Sequence, residues 1–166
     1  CHLAGEDGRR SSLGGRVLFV DLGLAIFHHL LVFTLAATLA AEFILVRPGL
    51  AGRELRLLAH IDQAFGGVSL AVIVVGVLRV FFGLKGWEFY VYNLSFWLKM
   101  TAFLTVGLLS IRPTLRILAW RRQADRATGL YVVPDNEIAL ARRLIRWEAM
   151  VFLLIPIFAA IMARGV

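Results

Sequence analysis

The chain has 166 residues, of which 60% are hydrophobic, and its mean hydropathy is +0.79. Soluble domains use about 45–50% apolar residues, so this composition excludes an ordinary soluble protein and indicates one integral membrane domain. The net charge of +7 comes mostly from arginines that flank apolar segments, which argues against a nucleic-acid-binding protein. Because Cys1 is the single cysteine, an intrachain disulfide and a thiolate metal cage are excluded, and we predict no metal site.

Residues 1–19 are rich in glycine, serine and arginine, which predicts a flexible N-terminal tail. A translated chain begins with Met, so Cys1 has two open interpretations. It is the lipidated cysteine that a lipoprotein signal peptidase leaves, or the gene start is misplaced and translation begins near Val20. The folded domain is predicted to cover residues 20–166.

Four apolar segments follow this tail, and their lengths are typical of helices that cross a bilayer. They cover residues 22–46, 57–84, 89–111 and 147–163. The last segment is short and contains Pro156, so we expect its helix to begin earlier, inside the arginine-rich segment before it. The predicted fold class is all-α, an integral membrane four-helix bundle with a cytoplasmic helical extension between helices three and four.

The arginines concentrate in the first and third connections between these spans. The positive-inside rule therefore places both connections in the cytoplasm and both termini in the periplasm, as in a bacterial inner-membrane protein. The long third connection, residues 112–146, is predicted to be a helical hairpin that turns at residues 129–134. The lipid bilayer is the expected partner of the apolar surface.

Two adjacent histidines lie inside the first span. Neighbouring helical residues point about 100° apart, so only one of His28 and His29 is expected to face the bundle. Such an imidazole is suited to binding haem or a metal, to a proton or substrate role, or to a structural hydrogen bond, and these alternatives stay open. His60 lies about 25 Å away along the membrane normal, which argues against a haem with two histidine ligands.

Lys99 is the only charged residue of the segment 89–111. A charge near the centre of a membrane helix costs roughly 2.5–3.5 kcal/mol on insertion scales, so it indicates a buried partner or a function. We predict Lys99 as the catalytic candidate, acting as a proton donor or pairing with an anionic ligand. The alternative is a structural lysine.

Arg79 is predicted to lie at the same outer depth and to bind a carboxylate, unless it is an interface anchor. Together with Lys99 and the histidines it would form a nearly all-basic cluster, which suggests an anionic guest. The carboxylates of a porphyrin, a quinone-type oxygen or a lipid head group would fit.

Ionisable residues of both signs, Glu148 and His60 among them, lie near the opposite, cytoplasmic ends of the spans. We predict that they form a structural ion-pair network that locks these helix ends, and the alternative is a path for protons. The four residues of this predicted network are Glu42, Arg47, Asp62 and Arg112.

The segments AAEFILVRPGL, GVLRVFFGLKGWEFY, FWLKM, LLSIRPTL and IMARG resemble a family of uncharacterised bacterial four-helix inner-membrane proteins, over residues 20–166. More distantly, the layout is similar to the HemJ-type protoporphyrinogen oxidases, which bind haem b and have a histidine in the first helix and a lysine in the third. That similarity maps onto His28 or His29 and onto Lys99. The Tyr-His pair expected later in the third helix is replaced here by residues 106–108, Val-Gly-Leu.

Three hypotheses for the function follow. In the first, the chain is a haem- or porphyrin-associated redox protein of electron transport, with haem b as the cofactor in the outer half of the bundle. In the second, it is a non-catalytic accessory subunit that packs against a larger respiratory or photosynthetic membrane complex. The third is a small transporter, which the lack of internal symmetry among the spans makes the weakest of the three. Whether the protein is an enzyme stays open at this point.

Overall fold

Long apolar helices make up nearly the whole fold. The computed structural model describes residues 4–82 and 86–164. The helices are α1 (Ala4–Leu45), α2 (Gly52–Phe82), α3 (Gly86–Val91), α4 (Leu94–Arg126), α5 (Asp135–Phe152) and α6 (Leu154–Ala163). Four segments are long and apolar enough to cross a membrane, namely Leu18–Leu45, Gly52–Phe81, Leu94–Arg126 and Asp135–Ala163. The prediction of an all-α four-helix membrane bundle is confirmed.

The helices contact one another at the end of the bundle that carries the turn of residues 46–51 and the loop of residues 127–134. Most arginines of the chain lie on the helix ends next to these connections, so we call this the Arg-rich end. Here the turn between α1 and α2 meets the loop between α4 and α5. The Val133 N–H donates to the Leu50 carbonyl at 3.0 Å. The core below this contact consists of fully buried side chains that include Leu55, Leu58, Ile117, Trp120 and Ile145. The predicted helical hairpin between spans three and four is thus part of the bundle's core.

The N-terminal segment differs from the predicted flexible tail. Helix α1 already begins at Ala4, so residues 4–19 continue the first span, whereas residues 1–3 lie outside the described residues. Extending an existing helix needs no new nucleus, which explains how a glycine- and serine-rich segment can stay helical.

The third span is shifted relative to the predicted segment 89–111. Helix α4 begins at Leu94 because the Asn93 side chain accepts a hydrogen bond from the Phe96 N–H at 3.3 Å and caps the helix. At its other end α4 continues through Pro113 to Arg126. A proline inside a helix costs about 3 kcal/mol or more. Pro113 is itself fully buried, and the core residues that follow it on α4 offset this cost.

The fourth span consists of two helices rather than one. Helix α5 begins at Asp135, inside the arginine-rich segment before residue 147 as expected, and ends at Phe152, and α6 follows from Leu154. Pro156 lacks an N–H, and its ring would clash with the carbonyl of Phe152 four residues earlier in a regular helix. The break therefore falls one turn before the proline.

We expect Trp120 to be essential for the stability of the Arg-rich end. Its side chain is fully buried, and its indole N–H donates to the Glu137 carboxylate at 2.5 Å. Trp120→Ala should lower the free energy of unfolding by about 3–5 kcal/mol, because it opens a cavity and removes this bond. Circular dichroism of the detergent-solubilised protein during unfolding measures the loss. Trp147→Ala is the control, since Trp147 is 57% exposed, and equal losses in both variants would contradict the assignment.

Candidate functional site

Two groups of ionisable side chains lie between the helices. The basic cluster comprises His28 of α1, Arg79 of α2 and Lys99 of α4. The carboxyl cluster comprises Glu42 of α1, Asp62 of α2 and Glu148 of α5. At 1.5 Å per residue, His28 and Glu42 are about 21 Å apart along α1. The clusters therefore lie at different depths, with the carboxyl cluster closer to the Arg-rich end.

The three members of the basic cluster lie near one another on three different helices. His28 interacts electrostatically with both Arg79 and Lys99, and Arg79 also interacts with Lys99. Helix α2 can lie close to His28 because Gly76 has no side chain. A Cβ atom at Gly76 would lie 3.5 Å from Cε1 of His28. The structure thus brings together three of the residues that the sequence nominates for an anionic guest.

Two nitrogen atoms of the basic cluster have no protein partner. His28 Nδ1 and Arg79 Nε are buried, and neither forms a hydrogen bond within the described residues. The Lys99 Nζ atom lies 5.4 Å from the centroid of the Phe96 ring, a cation–π contact. No ion pair among residues 4–82 and 86–164 involves these three side chains. Within the described residues, the basic side chains of this cluster are therefore only partly satisfied by protein partners.

His29 lies outside this cluster. Its side chain is exposed, and its Nδ1 atom is 2.6 Å from the Ala25 carbonyl of the preceding turn. The ring centroids of His28 and His29 are 6.3 Å apart. Of the two candidate histidines, His28 faces the bundle and His29 does not.

The carboxyl cluster is more deeply buried than the basic one. The exposed fractions of Glu148, Glu42 and Asp62 are 1%, 2% and 7%. Glu42 interacts electrostatically with both other carboxyl groups, and Glu148 interacts with Asp62. The Thr114 hydroxyl of α4 donates to Asp62 Oδ1 at 2.7 Å. Four helices thus each contribute one polar side chain to the same layer.

The residues of the predicted ion-pair network are distributed differently from the prediction. Glu42 and Asp62 lie together, but the Arg47 guanidinium is exposed and pairs with Glu54 at 2.6 Å. Arg112 is also exposed and lines a surface groove between α4 and α5. Neither arginine forms an ion pair with the two acids in the described part of the chain. A guanidinium that stays in water avoids the desolvation cost of a buried pair.

Thr114 is the member of this layer that the sequence prediction missed, because the third span was thought to end at residue 111. One signal for it was present. Ser95, Lys99 and Ser110 lie on one face of α4 by helical spacing, and Thr114, four residues after Ser110, continues that face by one turn. Within the described residues, no group of three or more His, Cys, Asp or Glu side chains is arranged to hold a metal ion.

Comparison with known proteins identifies a family but no activity. Residues 20–166 match a protein family described as predicted membrane protein (DUF2214). No curated protein matches the chain, and no solved structure matches it. The distant similarity to HemJ-type protoporphyrinogen oxidases therefore receives no support from these comparisons.

The hydrogen bond from Thr114 should contribute to stability. In Thr114→Val the Asp62 oxygen loses its donor, and we expect the free energy of unfolding to fall by about 1–3 kcal/mol. Thr105→Val is the matched control, because the Thr105 hydroxyl donates only to the Thr101 carbonyl of its own helix, at 2.8 Å. Thermal unfolding in detergent compares the two variants, and a loss no greater than that of the control would refute the role of this bond.

Proposed function

Because the chain belongs to the family described as predicted membrane protein (DUF2214), we propose that it works inside the bilayer, where it binds an anionic ligand at the basic cluster. The observation that carries this proposal is the convergence of His28, Arg79 and Lys99, two of which, His28 and Arg79, have a buried nitrogen atom without a partner in the described part of the chain. An unpaired charge in a membrane is costly, so these cations favour a ligand that brings negative charge. A carboxylate or phosphate on an otherwise apolar molecule satisfies both the cations and the surrounding lipid-like interior.

A haem or a related porphyrin is the leading candidate for this ligand. The residues fit such a group: Nδ1 of His28 is a buried imidazole nitrogen without a partner, and two cationic side chains lie beside it. His28 would hold the iron, and Arg79 and Lys99 would neutralise the two propionates. When bound, haem b would supply one-electron redox chemistry. In this proposal Lys99 would also deliver a proton to the bound group, the catalytic role that the sequence suggests.

Optical spectra of the purified protein test this proposal. The protein is expressed with ample haem, purified in detergent, and measured oxidised and after reduction with dithionite. We expect a Soret band that shifts on reduction. His28→Ala should lower the bound haem at least tenfold, since a charge-assisted or ligand bond worth about 1.5–3 kcal/mol is lost. His29→Ala is the matched control and should keep the band.

Two further variants test the role of the cations. Lys99→Met and Arg79→Gln should each weaken porphyrin binding by about tenfold or more, because each removes a charged partner of a carboxylate. Arg56→Gln, an exposed residue near the Arg-rich end, should leave binding unchanged. A featureless wild-type spectrum would exclude haem. Stable co-purification of the colourless protein with a large complex would favour the alternative, a non-catalytic accessory subunit.

We also propose an orientation of the bundle in the membrane. We place the Arg-rich end in the cytoplasm of a bacterial inner membrane, following the concentration of arginines in the connections at that end. In a Cys1→Ser background, Tyr92→Cys should react with a membrane-impermeant maleimide in intact cells, since Tyr92 is 85% exposed. Thr128→Cys, in the loop between α4 and α5, should react only after the cells are opened. The opposite labelling pattern would reverse the orientation.

A further inference from the structure

The carboxyl cluster has a feature that the anion site does not explain. Three acidic side chains from three helices lie within electrostatic reach of one another, and each is at least 93% buried, since their exposed fractions are 1%, 2% and 7%. An isolated carboxylate in an apolar interior is strongly disfavoured, and adjacent carboxylates also repel one another. An arrangement of this kind persists only if something compensates the negative charge.

The Glu148 carboxyl group supplies a second observation. It is 1% exposed, and neither Oε1 nor Oε2 has a hydrogen-bond partner within the described residues. Glu42 Oε1 is buried and unpartnered as well. An ionised carboxylate accepts hydrogen bonds from several donors, and burying one without donors carries its full desolvation cost. A protonated carboxyl group is neutral and becomes a donor itself, so it can bond to a neighbouring carboxylate.

Four basic side chains near this end of the bundle either have other partners or lie exposed at the surface. Arg142 of α5 donates to the Val46 carbonyl at 2.8 Å and stacks over the Phe43 ring at 4.5 Å, so it caps the end of α1. The exposed His60 directs its Nδ1 atom to the Arg56 carbonyl at 2.7 Å. Arg47 and Arg112, described above, remain at the surface. None of these groups forms an ion pair with the cluster in the ranges that the structure describes.

The remaining compensating ligand is the proton. We propose that Glu42, Asp62 and Glu148 form a proton-binding site in which Asp62 carries the negative charge and the two glutamates hold exchangeable protons. The hydroxyl of Thr114 distinguishes Asp62 from the glutamates, because a donor at 2.7 Å stabilises the ionised form of the group that accepts it. This site is independent of the basic cluster, from which it is separated by about 21 Å along α1.

Infrared spectroscopy of the full chain tests the proposal directly. The protein is studied at neutral pH in a detergent without ester groups, so that the carbonyl stretch of a protonated carboxyl group is not obscured. We expect such a band in the wild type, and we expect it to shift to lower frequency in heavy water. Glu42→Gln and Glu148→Gln should each remove part of the band, and the double variant should remove it. Glu88→Gln, at an exposed residue of α3, is the control and should leave it unchanged.

The outcome does not depend on how well the variants fold. A wild-type spectrum without a protonated carboxyl band at neutral pH would overturn the proposal by itself. A band that persists undiminished in the folded double variant would also overturn it, because its source would then lie outside the two glutamates. A Soret band or its absence has no bearing on this result, so failure here is distinguishable from failure of the proposed anion site.

Discussion

A polar side chain in the hydrocarbon of a bilayer has no water to bind, so it must find its partners inside the protein. This constraint organises the whole bundle. Large apolar side chains point outward: Phe33, Leu70 and Leu104 are 69%, 62% and 63% exposed. The ionisable groups of the spans converge inward instead, in the basic and carboxyl clusters. The surface is therefore suited to contact with lipid, and the inward-facing ionisable side chains are concentrated in two layers between the helices.

The carboxyl cluster lies where the apolar spans pass into the charged part of the bundle. On one side of it, residues 63–78 of α2 and 100–111 of α4 contain no charged side chain. On the other side α4 and α5 continue for several turns and pack Trp120 and Ile145 against the rest of the core. Because the extension is packed rather than free in solvent, it holds Thr114 and Glu148 in fixed positions at this level. The core of the Arg-rich end thus positions the carboxyl cluster.

Apolar runs and helical spacing were enough to predict the class of fold, the approximate spans and the shared outer depth of Arg79, Lys99 and one of the two adjacent histidines. They were not enough to locate the helix ends, which depend on individual local contacts. Helix α4 begins after the Asn93 cap, and it continues beyond Pro113 because the residues that follow are packed in the core. The fourth span is divided into two helices one turn before Pro156. The partners in ion pairs were equally hard to predict, because the sequence gives the depth of a charged residue in the membrane but not which oppositely charged residues lie within reach of it. Arg47 lies within reach of Glu54 on the next helix, at 2.6 Å, and pairs there.

The two clusters carry opposite charge, yet they cannot neutralise each other. At about 21 Å and an effective dielectric constant of about 20, two unit charges attract by only about 0.8 kcal/mol, against about 4 kcal/mol at 4 Å. Each cluster must therefore be compensated where it lies. Among residues 4–82 and 86–164 the side chains of the basic cluster form no ion pair, and the proposed anionic ligand would supply the negative charge. No cation of the described residues forms an ion pair with the groups of the carboxyl cluster, and the proposed protons would remove their charge without requiring any further space in a packed core. The same constraint therefore underlies both proposals, an anion at one depth of the bundle and protons at the other.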